Sequence, residues 1–296
     1  MEFNNVFSNK KENKVNQVSK MGSIPVTVLI LTKNEELAIE ACIKSVQNFQ
    51  QIIVVDSGST DNTKKIAETF GAQTVDFAWN RKYPKKKQWS MELSVIKNDW
   101  VLFLDADEIV SNELVKEIQK NLMIQNHENF VAFEIPILYS FMGKFLNYGH
   151  KVKKISLVNR KHCHFPVVND LHVANMWEVE GHYQPIYQGR LGKLSSSLKH
   201  LDPDPLYDYF ARHNRYSDWE SELAVDLKLS RSVLDSRSRQ GKFFNRLPFK
   251  PLVFFIYSYF IRRGFLDGRA GFNYAVALSF YYWQISIKTQ ERRGFA

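Results

Sequence analysis

Two carboxylates at the end of one apolar run could together hold a metal ion. The run from Trp100 to Asp107 reads WVLFLDAD, so Asp105 and Asp107 stand two residues apart at its carboxyl end. Because residues i and i+2 of a strand face the same side, both carboxylates can converge on one cation, or on a cation and a ribose hydroxyl. Such oxygen ligands favour Mg²⁺ or Mn²⁺ and leave coordination positions for diphosphate oxygens. The alternative interpretation is a solvated acidic turn that caps the next helix.

Polar residues follow two earlier apolar runs in the same way. Thr32 and Glu35 come after the run VTVLIL, and Asp56 comes between the run QIIVV and the turn SGSTDN. In an open α/β sheet, ligands bind outside the carboxyl ends of the strands. We therefore expect these side chains to lie near Asp105 and Asp107, although capping of the following helix is an alternative role for Asp56.

The segments that must position these residues alternate between short strands and amphipathic helices. Strands are predicted over residues 26–32, 51–56, 72–77 and 100–107, and this order is typical of a parallel sheet with crossover helices. Ser111 is the predicted N-cap of a further helix. After about Phe130, strand-like runs predict a mixed, partly antiparallel extension of the sheet, and residues 203–234 predict a helix over the site.

The composition is that of a globular protein. Of the 296 residues, 44% are hydrophobic and 24% are charged, which excludes fibrous, collagen-like and wholly disordered classes. With only Cys42 and Cys163 present, a disulfide framework is excluded and a reducing, cytoplasmic compartment is expected. Residues 1–24 are rich in Asn and Lys and contain no apolar run long enough for a signal peptide, so they are predicted to form a disordered arm.

The net charge of +9 is concentrated towards the carboxyl terminus. From residue 241 onward, nine Lys and Arg residues stand against Asp267 and Glu291, among dense aromatic residues. This composition favours an anionic partner, either a lipid surface or nucleic acid. The apolar run from Pro251 to Ile261 is much shorter than the roughly 20 residues that span a bilayer. We expect two short aromatic helices in the membrane interface and no nucleic-acid partner; a helix pair buried in the core is the alternative.

The motifs taken together resemble one enzyme family. The elements TKNE from Thr32, DSGS from Asp56 and DAD from Asp105 resemble, in this order, the inverting family 2 glycosyltransferases of GT-A fold over about residues 25–125. The resemblance implies an α/β fold, with a GT-A-like nucleotide-binding domain and a mixed sheet, followed by C-terminal amphipathic helices. We predict a disordered arm over residues 1–24 and a nucleotide-sugar-binding half over residues 25–125. An acceptor-binding half with covering helices is predicted over residues 126–240, and basic aromatic membrane-interface helices over residues 241–296.

The resemblance also implies roles for individual residues. Thr32 and Glu35 are expected to line the nucleotide pocket, and Asp56 is expected to accept a hydrogen bond from the base. A pyrimidine imide N–H needs an acceptor, and a carboxylate provides a charge-assisted hydrogen bond. Asp105 is expected to face the ribose and Asp107 the metal.

A basic run, RKYPKKKQ, occupies residues 81–88 before the third predicted helix. In the family this region holds a basic or amide residue against the sugar nucleotide, and Lys87 and Gln88 are the matching positions. The rest of the run is expected to form a solvated or membrane-facing stripe.

Two residues of the second half resemble the bacterial lipopolysaccharide-core glucosyltransferase branch of this family. Asp170, in VVNDLHV, matches the acidic position of a Val-His-Glu-x-x-Val element and is the predicted catalytic base, although Asn169 stands where that branch has His. His200 matches a His close to the diphosphate or the metal and is a predicted metal ligand. Glu178 and Glu180 are alternative bases, and a turn role is the alternative for Asp170.

These residues predict an inverting, metal-assisted glycosyltransferase. It would move a hexose from a nucleotide sugar, UDP-hexose, to a lipid-linked or lipopolysaccharide-core saccharide at the inner face of the cytoplasmic membrane, with Mg²⁺ or Mn²⁺ as cofactor. A sugar-phosphate nucleotidyltransferase is a second hypothesis, but it requires a glycine-rich loop where residues 33–36 read KNEE. A third hypothesis, a noncatalytic membrane-surface binding protein, leaves the carboxylates at three strand ends unexplained.

Overall fold

One mixed sheet forms the centre of the molecule. The computed structural model describes residues 23–124, 130–168, 170–171, 178–180, 183–226, 247 and 249–294. The strands are β1 (Ile24–Thr32), β2 (Phe49–Asp56), β3 (Gln73–Asp76), β4 (Trp100–Asp105), β5 (Glu108–Val110), β6 (Phe130–Phe141), β7 (Lys144–Phe145), β8 (Val152–Asn159), β9 (Cys163–His164), β10 (Ile186–Tyr187), β11 (Arg190–Lys193) and β12 (Leu198–His200). Within these ranges the main sheet has the order β3-β2-β1-β4-β8-β6-β12-β5; β7 and β11 also pair with β6, and β9 pairs with β10.

The amino-terminal part of the sheet is parallel. β1 pairs in parallel with β2 on one side and with β4 on the other. Strands that are buried on both faces read as continuous apolar runs, and residues 26–31 and 100–104 are buried throughout. The registers set Thr32 opposite Asp56 and Leu31 opposite Asp105, so three polar strand ends lie at one edge of the sheet.

The second half of the chain extends the same sheet with mixed pairing. β8 lies antiparallel between β4 and β6, whereas β11 and β12 run parallel to β6. The predicted mixed extension is therefore confirmed, and the predicted halves 25–125 and 126–240 share one sheet. Ile24, predicted to end the disordered arm, already begins β1, while residues 1–22 and 241–246 lie outside the described residues.

Helices cover both faces of the sheet. They are α1 (Ile39–Ser45), α2 (Thr63–Thr69), α3 (Lys86–Met91), α4 (Asn112–Gln119) with a π-helical turn (Lys120–Ile124), α5 (Leu206–Val225), α6 (Lys250–Phe255) and α7 (Gly268–Arg293). Ile30 packs in one core with α1 and α4, whereas its neighbour Leu31 packs in a second core with Met91 of α3. The hydroxyl of Ser111 accepts a hydrogen bond from the Leu114 N–H at 3.2 Å, which confirms the predicted N-cap of α4. The helix predicted over 203–234 is α5, and its predicted end lies outside the described residues.

The C-terminal region differs from its prediction in one respect. α6 continues as a π-helical turn (Ile256–Ile261), a 3₁₀ turn follows (Gly264–Asp267), and α7 then runs for 26 residues. The prediction of two short helices is thus wrong for the second, because α7 continues through its polar residues as far as Arg293. No helix in the part of the chain that the structure describes is long and apolar enough to cross a membrane.

The C-terminal helices are attached to the main domain at two places. Tyr274 and Ala277 of α7 are buried with Tyr209 of α5, and Lys288 donates a hydrogen bond to the Asn214 carbonyl at 2.9 Å. The carboxylate of Asp267 accepts hydrogen bonds from two backbone N–H groups, those of residues 147 and 148, at 3.1 and 2.8 Å. The predicted interfacial helices therefore also contribute to the core, which was the alternative interpretation.

Candidate active site

Thr32 and Asp56 meet at the ends of neighbouring strands. The Thr32 hydroxyl donates to Asp56 Oδ1 at 3.0 Å, and the Ser59 N–H donates to Asp56 Oδ2 at 2.7 Å. Burial alone would raise the pKa of Asp56, but the hydrogen bonds from Ser59 and Thr32 outweigh it and lower this pKa. Asp56 is therefore held as an ionised acceptor, fixed by the turn that follows β2.

The loops after β1 and β2 are joined by side chain–backbone hydrogen bonds. Asn34 adopts a positive φ of 58°, and its side-chain oxygen accepts from the Thr60 N–H at 2.8 Å. The Glu35 N–H donates to the Thr63 hydroxyl at 2.8 Å. These contacts place Glu35 at the strand edge that also carries Asp105 and Asp107.

The Glu35 carboxyl lies in strongly acidic surroundings. Burial, together with the charges of Asp107, Asp204 and Asp105, raises the pKa of Glu35 to about 8. Negative potential of this strength at a strand edge favours the binding of a cation, which would relieve the repulsion.

Asp107 and His200 lie side by side, as required of two ligands to one ion. His200 belongs to β12, which pairs antiparallel with β5, the strand directly after Asp107. His200 Nδ1 and Asp107 Oδ2 are 3.1 Å apart, but Nδ1 is buried and makes no well-aligned hydrogen bond. Burial lowers the pKa of His200, whereas Asp107, Glu108 and Asp105 raise it, with a net result of about 9.

This pair fits a divalent cation. A carboxylate oxygen and an imidazole nitrogen are suitable ligands for Mn²⁺, provided that the cation displaces the proton that Asp107 favours on His200. Mg²⁺ is commonly held by one or two carboxylates plus substrate phosphates. Among the described residues, no group of three or more His, Cys, Asp and Glu side chains could hold a metal. Asp107 and His200 would thus leave most coordination positions to diphosphate oxygens and water.

Lys154 and Glu108 lie beside the Asp105–Asp107 motif and contact it, and no role was predicted for either residue from the sequence. The Lys154 ammonium donates to Asp105 Oδ2 at 2.6 Å and to Glu108 Oε1 at 2.8 Å. Burial opposes a high pKa for Lys154, but the two carboxylates outweigh it and raise this pKa. The charges of Lys154 and Lys87 likewise outweigh burial and lower the pKa of Asp105. Lys154 reaches the motif through the pairing of β8 with β4, and no local signal in the sequence reports that pairing.

Three consecutive lysines of the basic run, Lys85, Lys86 and Lys87, are buried. The prediction of a solvated or membrane-facing stripe, which included the first two, is therefore wrong for Lys85 and Lys86. Lys85 forms an ion pair with Asp170 at 2.7 Å, and Lys86 donates to the Thr32 carbonyl at 2.7 Å. Burial lowers the pKa of Lys86 to about 8 and also lowers that of Lys87. Each lysine is buried because residues from distant parts of the chain pack around its side chain.

Lys87 and Gln88 occupy different positions. Lys87 lines a pocket together with Asp105, Lys154, Phe103, Phe165 and Tyr183. The Gln88 amide instead donates to Glu92 at 2.7 Å and accepts from the Phe165 N–H at 2.7 Å. Lys87 therefore faces the pocket, whereas Gln88 holds neighbouring segments together. The role predicted for both residues against the sugar nucleotide stays a prediction.

Asp170, the predicted base, has no exposed surface. Its carboxylate accepts hydrogen bonds from the Tyr83 and Tyr183 hydroxyls, each at 2.8 Å, besides the ion pair with Lys85. A base must reach the acceptor hydroxyl, so this arrangement favours an anchoring role. The assignment of Asp170 as the base stays a prediction.

The two alternative bases differ in accessibility. Glu180 is fully buried, and its carboxylate accepts from the N–H groups of Lys87 and Gln88 at 2.7 and 2.9 Å, at the first turn of α3. The Glu178 side chain is 21% exposed and lies 3.8 Å from the Lys86 ammonium, beyond hydrogen-bond distance. Of the three carboxylates, Glu178 is the one that is exposed to solvent.

Comparisons with known proteins point to glycosyl transfer. The family model "Glycosyl transferase family 2" matches residues 27–164. The uncharacterized glycosyltransferase RT0209 of Rickettsia typhi is 32% identical over 260 residues, which cover 86% of this chain and 83% of that protein. The lipopolysaccharide core biosynthesis glycosyltransferase LpsC of Rhizobium meliloti is 24% identical over 286 residues, 92% of this chain and 94% of LpsC.

Solved structures give a more limited match. Glucosyl-3-phosphoglycerate synthase of Mycobacterium tuberculosis, in complex with Mn²⁺, UDP and glucosyl-3-phosphoglycerate, is 26% identical with a TM-score of 0.31. The match covers 40% of this chain and 44% of that structure, less than half of either protein.

Proposed function

Because the chain belongs to glycosyltransferase family 2, we propose that it transfers a hexose, with inversion, from UDP-hexose to a lipid-linked or lipopolysaccharide-core saccharide. The observation that carries this proposal is the convergence of Asp105, Asp107 and His200 at the carboxyl edge of the sheet. The pairing of β12 with β5 brings His200 to the acidic motif from far along the chain.

The donor nucleotide would occupy the edge formed by the first two strands and Asp105. Asp56 supplies a fixed anionic acceptor, which suits the imide N–H of uracil, and Thr32 holds that carboxylate in place. Asp105 would accept from the ribose. Lys87, in the adjoining pocket, is placed to balance negative charge on the diphosphate.

Asp107 and His200 would hold Mg²⁺ or Mn²⁺, which when bound supplies electrostatic stabilisation of the departing diphosphate. In the reaction, the acceptor hydroxyl oxygen forms a bond to the anomeric carbon, and the bond from that carbon to the diphosphate oxygen breaks. The nucleoside diphosphate leaves with the electron pair, and a carboxylate removes the hydroxyl proton. Accessibility favours Glu178 for that role over Asp170 and Glu180.

The acceptor class is supported by similarity along nearly the whole chain. LpsC, whose name places it in lipopolysaccharide core biosynthesis, matches 92% of this chain at 24% identity. Core saccharides are assembled on a lipid, so their acceptor hydroxyls stand close to a membrane surface.

The C-terminal helices have the composition of a membrane-docking surface. Exposed apolar side chains along them include Leu252, Phe260, Ile261, Phe265, Phe280 and Trp283. Arg262, Arg263 and Arg269 are exposed among them. Aromatic side chains beside cations suit an anionic lipid headgroup region. We place the enzyme peripherally on the inner face of the cytoplasmic membrane.

The test of this function is direct. The purified protein with MnCl₂, UDP-glucose or UDP-galactose, and an extracted core glycolipid should release UDP and increase the glycolipid mass by one hexose. Mass spectrometry of glycolipid from cells with and without the protein identifies the natural product. In a parallel assay, release of pyrophosphate from UTP and glucose 1-phosphate would instead identify a nucleotidyltransferase.

A further inference from the structure

Lys154, Glu108 and Asp105 form a closed triangle of hydrogen bonds beside the proposed metal ligand Asp107. The Lys154 ammonium bridges the two carboxylates, at 2.6 Å from Asp105 and 2.8 Å from Glu108. The second oxygen of Glu108 accepts from the Asp105 N–H at 3.0 Å. Asp105 is thus held both at its side chain and at its backbone.

The sheet itself positions Lys154. β4 and β8 pair antiparallel, with Trp100 opposite Asn159 and Leu102 opposite Leu157. Lys154 lies three residues beyond the last of these pairs, where β8 pairs with β6 and Lys154 is opposite Ile135. β8 thus carries Lys154 past the end of β4, and its side chain reaches the Asp105 carboxylate there.

Burial makes the triangle rigid. Glu108 has no exposed surface, and the Lys154 side chain is 22% exposed. Loss of any one member would leave a buried charge or a buried donor without its partner, which is unfavourable. Asp105 itself remains 44% exposed at its side chain, so a ligand can reach the carboxylate that the triangle holds.

We propose that Lys154 is a positioning residue for the donor: acting with Glu108, it fixes the Asp105 carboxylate in the orientation that binds the nucleotide. The inference rests on the proposed function, since the contact of Asp105 with the ribose belongs to that proposal. It assigns a role to two residues outside the Asp-x-Asp motif. Lys154 is not required to touch the donor.

Simple charge neutralisation of Glu108 is the competing explanation, and a double variant separates the two. Lys154→Met alone leaves two carboxylates without their shared cation and should lower the unfolding temperature. Lys154→Met/Glu108→Gln removes one positive and one negative charge, so the net charge near Asp107 is unchanged. If Lys154 only neutralises Glu108, the double variant recovers both stability and nucleotide binding.

The experiment measures thermal unfolding and calorimetric binding of UDP in MnCl₂ for each variant. We expect the double variant to recover most of the lost stability but to bind UDP about tenfold or more weakly, as is common when a residue that orients a ligating group is removed. Lys153→Met is the matched control, because Lys153 is 51% exposed on the same strand and pairs with Glu134. It should bind UDP as the wild type does.

A second variant covers the case in which the double variant does not fold. Lys154→Arg keeps the positive charge that Glu108 needs, but a guanidinium cannot reproduce an ammonium 2.6 and 2.8 Å from two different carboxylates. It should fold and bind UDP several-fold more weakly. Wild-type UDP affinity in this variant or in the double variant would overturn the inference while leaving the proposed function intact. Failure of the wild-type protein to bind UDP would overturn both.

Discussion

The Lys85 ammonium and the Asp170 carboxylate lie 2.7 Å apart, and neither side chain is more than 2% exposed. The hydroxyls of Tyr83 and Tyr183 donate to the same carboxylate. These groups come from both halves of the chain. Asp170 therefore links the segment before α3 to the second half of the chain. A role of Asp170 in catalysis can be distinguished from this role in stability by measuring both in the same variant.

Asp170→Asn should lower the free energy of unfolding by about 3 kcal/mol or more, because it leaves Lys85 charged and buried without a counter-ion. Lys85→Met is the matched control and should be destabilising to a similar degree. Urea unfolding and steady-state transfer, measured on the same preparations, test this. Normal stability with kcat reduced about 100-fold would instead identify Asp170 as the base.

Glu178→Gln should reduce kcat by about 100-fold while UDP affinity stays close to that of the wild type, since an amide cannot accept the acceptor proton. A partly exposed side chain without a hydrogen bond should change unfolding by less than about 0.5 kcal/mol. Glu180→Gln is the comparison, because its carboxylate accepts from the first N–H groups of α3 and its loss should affect stability. Unchanged kcat in Glu178→Gln would remove it as the base.

Asp107→Ala should abolish the dependence of UDP binding on Mn²⁺ while the fold is retained. The reason is that Asp107 and His200, which lie 3.1 Å apart, are the residues that we propose to hold the ion. Calorimetry with and without MnCl₂ measures the coupling. Asp99→Ala provides the control, because Asp99 is 49% exposed and pairs with Lys161 away from the motif. Metal-dependent binding that persists in Asp107→Ala would contradict the assignment.

Glu35 should make stability fall as the pH rises. Its pKa is raised from 4.5 to about 8, so between these values the folded protein holds a proton that the unfolded chain has released. The unfolded state thus binds fewer protons, and the free energy of unfolding decreases from pH 4.5 to pH 8. Glu35→Gln removes this contribution. Urea unfolding at pH 5, 6, 7 and 8 should show wild type losing stability relative to the variant, and parallel profiles would refute the expectation.

Arg262→Glu/Arg263→Glu should weaken binding to vesicles that contain phosphatidylglycerol by about tenfold or more, because each cation near an anionic surface contributes about 1 kcal/mol. Lys65→Glu/Lys120→Glu makes the same charge change at exposed sites outside the C-terminal helices and should float as the wild type does. High salt should release only part of the wild-type protein, because inserted aromatic side chains are not screened. A wild-type chain that never floats with vesicles would exclude the docking surface.

The parallel half of the fold could be predicted because its signals are local. The apolar runs that end at Thr32, Asp56 and Asp105 are buried on both faces, so each run by itself indicates its strand and its polar end. Parallel pairing of these strands is then enough to place their carboxyl ends at the same edge of the sheet. The N-cap at Ser111 could be predicted for the same reason, because its hydrogen bond joins residues only three positions apart.

The buried lysines could not be predicted in this way. A run of cations ordinarily indicates a solvated surface, and burial becomes favourable only when another part of the chain brings an acceptor. For Lys85 that acceptor is Asp170, 85 residues away. Lys154 is a similar case, since its carboxylates lie 46 and 49 residues earlier and meet it across two paired strands.

Gly271 lets the start of α7 lie close against the preceding 3₁₀ turn, because a Cβ at this position would lie 2.1 Å from the Gly264 carbonyl oxygen. Asp267, between these glycines, holds the backbone of residues 147 and 148. The start of α7 is therefore fastened both to this turn and to the backbone between β7 and β8. In the membrane-docked enzyme that we propose, this attachment would hold the site at a constant height above the lipid. Acceptors whose terminal sugar stands at that height would be elongated in preference to shorter or longer saccharides.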